Sequence, residues 1–188
     1  MNRHEKFNFS DCRALKQRAE QVCPGLPFQE DISPLLEQLQ IRGKTVPNRF
    51  AVQPMEGFDA GRDGSPTDLT VRRYERYARG GSGLIWFEAA SVVNEGRSNP
   101  AQLWLHSSNW REFKKLADGS RAAAQNRFGK AHQPLLILQL THSGRYSRPE
   151  GQPAPLAAVN HPSLNKKGVV PVDDDYLKRL CDTFVTRS

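Results

Sequence analysis

The sequence predicts an α/β fold built on a parallel sheet. Three short apolar runs, residues 49–53, 83–89 and 134–140, alternate with stretches of helical periodicity. The runs are apolar throughout rather than alternating with polar residues, the pattern of strands covered on both faces by helices. The order is strand, helix, strand, helix, strand, helix, with no solenoid-type repeat.

Residues 1–30 are expected to form an N-terminal extension, and 31–188 the folded unit. Ser10 is a candidate cap for a short helix through Leu15, Ala19 and Val22, stopped by Cys23-Pro24-Gly25. Leu36, Leu39 and Ile41 then alternate, Arg42-Gly43 offers a turn and Val46 resumes, which predicts a small hairpin. The first strand, 49–53, ends at Pro54, and a turn-rich loop runs from Gly57 to Pro66. Thr67 or Thr70 caps the next helix, with Leu69, Tyr74 and Tyr77 or Ala78 facing inward and Gly80-Gly81 closing it. The second strand, 83–89, leads into a long loop from Ser91 to His106. Ser108 or Asn109 caps a helix bearing Trp110, Phe113, Leu116 and Ala117, which weakens at Gly119 and resumes through Ala122. The third strand, 134–140, is followed by a loop holding Pro149, Pro153, Pro155 and Pro162. Asp173-Asp174-Asp175 then opens a helix with Tyr176, Leu177, Leu180 and Phe184; carboxylates suit the positive end of the macrodipole. The chain is expected to stop inside this helix.

Composition excludes several classes. A hydrophobic share of 37% with 14 glycines belongs to a folding chain. No run approaches the roughly 18 apolar residues of a membrane span, and with a polar N-terminus no export signal is expected. A cytoplasmic location is expected, and the Asn8-Phe9-Ser10 sequon carries no weight. The net charge of +7 raises the question of nucleic acid, but the basic residues are dispersed. The densest group, Arg72, Arg73, Arg76 and Arg79, reads as the wet face of a helix, and Lys114-Lys115 and Lys166-Lys167 are isolated pairs. Three cysteines, Cys12, Cys23 and Cys181, are odd in number and lack CxxC spacing, against a disulfide framework or a zinc ribbon.

Other motifs fail on position. Gly80-Gly81-Ser82-Gly83 precedes a strand, whereas a phosphate loop follows one and opens a helix. Leu84 stands where a GxSxG elbow needs glycine. Asp59, Asp63 and Gly64 resemble a calcium loop, but Gly61 and Thr70 occupy ligand positions. The five histidines lack metal spacing, so no metal site is expected. Three features remain: Gln53-Pro54-Met55-Glu56-Gly57 after the first strand, Glu88-Ala89 then Gly96-Arg97 after the second, and Gln139-Leu140-Thr141-His142-Ser143-Gly144-Arg145 after the third. All fall at carboxyl ends of strands, where parallel α/β folds gather their ligands.

From about Leu35 to Phe184 these motifs resemble the old yellow enzyme family, the NADH:flavin oxidoreductases. Asn48-Arg49-Phe50 with Pro54-Met55 resembles the family's first-strand motif. Gly83-Leu84-Ile85 with Glu88-Ala89 and Gly96-Arg97 resembles the second, and Gln139-Leu140 with His142-Ser143-Gly144-Arg145 the third. The resemblance implies a TIM (β/α)8 barrel holding FMN over the strand ends, with hydride passing from NAD(P)H to an activated alkene or similar small-molecule acceptor. It implies that Gln53, Pro54, Met55 and Glu56 lie along the flavin, that Ala89 packs at the ring and that Gln139 bonds its pyrimidine edge. It places Phe58 on the substrate side and leaves Arg145 to brace its loop. The chain departs from the family at Glu56, where members often have Thr or Cys; a carboxylate there disfavours an anionic reduced flavin unless it is protonated or turned away.

A complete barrel takes about 250 residues. The chain accounts for about three strand–helix units and a hairpin, so an incomplete barrel is expected, truncated within its third helix, with impaired or no activity alone. The family's substrate-anchoring pair falls after the fourth strand, outside the chain, so no catalytic residue is assigned. Other readings are a non-catalytic remnant or complementing subunit of a split barrel, a homo-oligomer and, more distantly, a basic nucleic-acid-binding protein.

Overall fold

The computed structural model describes residues 6–161, 169 and 171–187. Pro162 and the Lys166-Lys167 pair lie outside them. The chain begins with helix α1 (Cys12–Val22), followed by a short helix α2 (Ser33–Leu36). Asp11, not Ser10, caps α1, its Oδ1 accepting from the Ala14 N–H at 2.8 Å. Leu36 lies in α2, so the hairpin is shorter than its apolar alternation suggests. Strands β1 (Leu39–Ile41) and β2 (Lys44–Val46) pair antiparallel. Arg42 and Gly43, at φ 47° and 76°, form the two-residue turn between them.

The sheet that positions the site has order β3 (Ala51–Val52), β4 (Leu84–Ser91), β5 (Leu135–Thr141), all parallel. Helix α3 (Asp68–Arg79) connects β3 to β4, and α4 (Trp110–Phe128) connects β4 to β5. Helix α5 (Asp174–Arg187) follows β5. This is the alternating α/β arrangement the apolar runs predict, and α4 continues through Gly119 without a break. The loop after β4 starts later than expected because the strand extends to Ser91, where a parallel bridge to Trp104 continues the pairing.

Burial corrects the expectation of three fully covered strands. Only β4 has a strand on each side, and it alone is largely buried; all of β5 is half-buried, and Ala51 of β3 is exposed. Trp86 on β4 is 38% exposed. The inward face of α3 is Thr70, Tyr74 and Ala78, whereas Leu69 and Tyr77 face solvent; Trp110 on α4 is exposed likewise. One core cluster joins Tyr74, Ala78, Ile85, Phe87, Leu116 and Ala124 across α3, β4 and α4. A second, of Ala90, Leu103, Leu105 and Phe113, sits at the carboxyl end of β4.

Helix α5 buries none of its residues. An apolar cleft between α4 and β5, lined by Phe87, Phe113, Leu116, Leu136 and Leu138, has no α5 residue in its wall. Asn48 fastens the start of the sheet. Its amide donates to the Gly81 carbonyl at 2.7 Å and its oxygen accepts from Gly83 N–H at 2.8 Å. A side chain at Gly83 would strike the Asn48 backbone, so the first two motifs meet as a close backbone contact.

The three cysteines are free and exposed. Among the described residues no helix is long and apolar enough to cross a membrane, and no His, Cys, Asp and Glu cluster could hold a metal ion.

Candidate functional site

The parallel register brings the three motifs to one end of the sheet. Ala89 on β4 stands opposite Gln139 on β5, beyond a bulge between Phe87 and Ala89 that leaves Glu88 without a register partner. Ala89 is buried and Gln139 half-buried. The Gln139 side-chain amide has no hydrogen-bond partner among the described residues. Gln53 and Met55 are exposed, Pro54 and Glu56 half-buried. Phe58 is 47% exposed at φ 49°, an uncommon left-handed conformation for a residue other than glycine.

Beneath this surface lies an ion network. Glu88 is 1% exposed. Its Oε1 accepts from Arg73 Nη2 at 2.5 Å and from the Tyr74 hydroxyl at 3.2 Å, and its Oε2 accepts from Gly57 N–H at 2.8 Å. Arg73 also reaches Asp59 at 2.5 and 3.0 Å. Asp59 in turn accepts from the Thr70 hydroxyl and, through its carbonyl, from the Thr67 hydroxyl. The loop after β3 is thus tied to α3 and β4 by charge-assisted bonds. Arg73 holds the Asp59 carboxyl below the usual range, and burial pushes the Tyr74 hydroxyl up.

This corrects the reading of Arg72, Arg73, Arg76 and Arg79 as one wet face. Arg72, Arg76 and Arg79 are exposed, but Arg73 is drawn inward by two carboxylates. One signal for it was present: Arg73 lies three residues after Thr70 and beside Tyr74, on the buried stripe.

Glu56 belongs to a separate, neutral set. It accepts from Gln102 Nε2 at 3.0 Å and from the Ser98 hydroxyl at 3.2 Å. Gln102, fully buried, also donates to the Ala89 carbonyl and accepts from Ser98 N–H. Burial, with a smaller push from Glu88, raises the Glu56 pKa, against the opposing bonds from Ser98 and Gln102. A carboxyl whose folded pKa is raised favours the folded state more as pH falls. Glu56→Gln is therefore expected to stabilise the chain slightly at pH 7.5, by less than about 1 kcal/mol. Urea melts should show the advantage fading by pH 4.

Two further groups close the site's floor. Arg97, 4% exposed, gives its guanidinium to the carbonyls of Pro100, Asn94 and Pro149, at 2.7, 3.4 and 3.5 Å. It thereby joins the loop after β4 to the loop after β5. His142 accepts from Gly144 N–H through Nδ1, so the neutral ring carries its proton on Nε2 and donates to Tyr176, at 2.8 Å. The Tyr176 hydroxyl, pushed up to about 12 mainly by burial, points its hydrogen at Glu95, 3.4 Å away. These hydrogen bonds tie α5 to the strand ends. Arg145 keeps a buried Nη1 with no hydrogen-bond partner among the described residues.

A cavity of about 540 Å³ opens at the opposite, N-terminal end of the strands, against Lys44, Pro47, Gln133 and Leu135. It holds none of the three motifs.

No protein-family model matches the chain. Curated relatives include an NADPH dehydrogenase of Listeria monocytogenes serotype 4b, 28% identical over 144 residues, 76% of this chain and 39% of the relative. An NADH:acrylate oxidoreductase of Vibrio harveyi is 31% identical over 134 residues, 70% of this chain and 12% of that protein. Among solved structures, an old yellow enzyme homologue from Zymomonas mobilis superposes with TM-score 0.62 at 22% identity, over 80% of this chain and 42% of that one. Morphinone reductase, in complex with tetrahydroNAD, gives TM-score 0.61 at 20% identity, over 80% and 44%. The chain spans about two-fifths of the length of the NADPH dehydrogenase it matches. These neighbours share its fold.

Proposed function

We propose that this chain, related in sequence to NADPH dehydrogenases and in fold to old yellow enzyme homologues, is the N-terminal part of a flavin-dependent oxidoreductase barrel. The observation that carries the reading is the convergence of three motifs at one sheet end, with Ala89 opposite an unpartnered Gln139 amide.

The residues present fit a planar, polar-edged ring. Ala89 offers a small, buried surface, and Gln139 offers both donors and an acceptor for alternating carbonyl and N–H groups. Gln53, Pro54, Met55 and Glu56 line the adjoining strand end, and Phe58 stands on the exposed, substrate side. Bound FMN would supply reversible hydride transfer between NAD(P)H and an activated alkene or similar small acceptor. The chain's own residues orient and bound that ring: the Glu88–Arg73–Asp59 network fixes the loop beneath it, and Arg97 and His142 hold the two later loops in place. Arg145 braces its loop. The reading extends to a cytoplasmic protein of residues 31–188 with residues 1–30 as an extension.

Full activity requires the remaining strand–helix units. The half-buried β5, the cleft beside α4 with no α5 residue in its wall and the unburied α5 support a reading in which further structure packs on this flank. A complementing chain or a second copy would serve as well as continuous polypeptide.

The test is to purify the chain, titrate FMN and follow flavin fluorescence and visible absorbance. Binding should be saturable, and Gln139→Ala should weaken it about tenfold, the worth of one well-made hydrogen bond. Absence of binding in both this chain and a complemented barrel would sink the reading.

A further inference from the structure

We propose that Glu56 is the proton-holding carboxyl of the site, taking a proton from solvent as a planar ring closes over the strand ends. The inference rests on the flavin-site reading and adds to it the role of one residue.

Glu88 and Glu56 both lie at this end of the sheet and their surroundings differ. Glu88 has a cation, Arg73, within 2.5 Å, together with a hydroxyl and a backbone N–H. Glu56 has only neutral partners, the Ser98 hydroxyl and the Gln102 amide. The nearby cations are committed elsewhere: Arg73 to Asp59 and Glu88, and Arg97 to three backbone carbonyls. His142 on the β5 side is bonded to Gly144 and Tyr176, and Tyr176 leads on to Glu95. Glu88 is the charge that acts on Glu56, and it opposes ionisation.

The partners of Glu56 also suit its neutral form. Gln102 donates to Oε1, which remains a carbonyl oxygen after protonation. The Ser98 hydroxyl rotates, so it donates to a carboxylate oxygen or accepts from a carboxylic acid O–H at the same 3.2 Å. Proton uptake therefore needs no rearrangement of the buried Gln102. Glu56 is only half-buried in the free chain. A ring laid across Met55 and Ala89 removes its remaining water, and desolvation of a carboxyl without a cation drives it toward the neutral form. A neutral Glu56 then presents no negative charge to the ring, which reconciles a carboxyl at this position with a flavin site.

The experiment follows glutamate side-chain carboxyl carbons by NMR in the full chain labelled with 13C-glutamate, from pH 3 to 9, with and without FMN. One resonance, missing in Glu56→Gln, should titrate above the ordinary glutamate range and move higher with FMN. The FMN dissociation constant should rise with pH by up to tenfold per unit between the free and bound titrations. It should be flat in Glu56→Gln, whose amide preserves both neutral bonds. A Glu56 that titrates as an ordinary carboxylate overturns the proposal, as does FMN affinity with the same pH dependence in both proteins. FMN that leaves its own fluorescence and every resonance unmoved overturns the flavin reading, and the linkage with it.

Discussion

Arg73→Met should lower stability by about 3–5 kcal/mol, because it strands a carboxylate that is 1% exposed. Methionine keeps much of the aliphatic stem, so the loss is electrostatic rather than a matter of packing. Removing the guanidinium leaves Glu88 with one hydroxyl and one N–H, and leaves Asp59 with the Thr70 hydroxyl. Two consequences separate this from generic damage. Adding Glu88→Gln to Arg73→Met should recover part of the loss, since the uncompensated buried charge goes with it. The acid limb of stability should also change. Arg73 lowers the Asp59 pKa from 3.8, so the pair's contribution is complete above that value and disappears as pH falls through the lowered one. In Arg73→Met that loss below pH 4 should be smaller, since only the Thr70 hydroxyl and a backbone N–H still favour the Asp59 carboxylate. Chemical denaturation at pH 7 and pH 3 reads both effects; an equal loss at both values would refute the account.

Gly64→Ala should cost about 2–5 kcal/mol and loosen the site's outer wall. Gly64 has φ 78°, a conformation that costs a residue with a Cβ roughly 1–2 kcal/mol. A Cβ there would meet Trp104 Cβ at 2.5 Å and the Trp104 N and O at 2.8 Å, and overpacking of that kind costs about 1–3 kcal/mol. The backbone cannot yield cheaply: Trp104 N–H donates to the Gly64 carbonyl at 3.0 Å, and Trp104 is bridged to Ser91 at the end of β4. Hydrogen exchange should show faster opening of the 57–66 loop and of residues 103–106, with the α3–β4–α4 core unchanged.

Much of the layout follows from short-range chemistry. Continuous apolar runs fix β4 and β5, the 3.6-residue spacing fixes α3 and α4, and Gly80-Gly81 and Arg42-Gly43 place the turns, because these depend on neighbours a few residues away. The strand-end motifs are legible for the same reason, since each follows its own strand directly. Leu69 and Trp110 read as core and are exposed, and of Tyr77 or Ala78 it is Ala78 that is buried, because a stripe of apolar residues gives a helix face only to within a residue or so. The Leu36 and Ser10 assignments fail at element edges, where caps decide.

The sequence by itself determined the α/β order, the strand ends where the motifs gather and the family they resemble. The tertiary structure decided which charges are partners. Arg73 shares its residue type and its helix with Arg72 and Arg76, and its place beside the buried stripe does not name its partners, yet it is bound by Asp59, fourteen residues back, and Glu88, fifteen residues on. Glu56 acquires its neutral setting from Ser98 and Gln102, over forty residues away. Electrostatic environment is set by what folding brings within a few ångströms and by the water it excludes, and neither quantity has a local pattern in the chain.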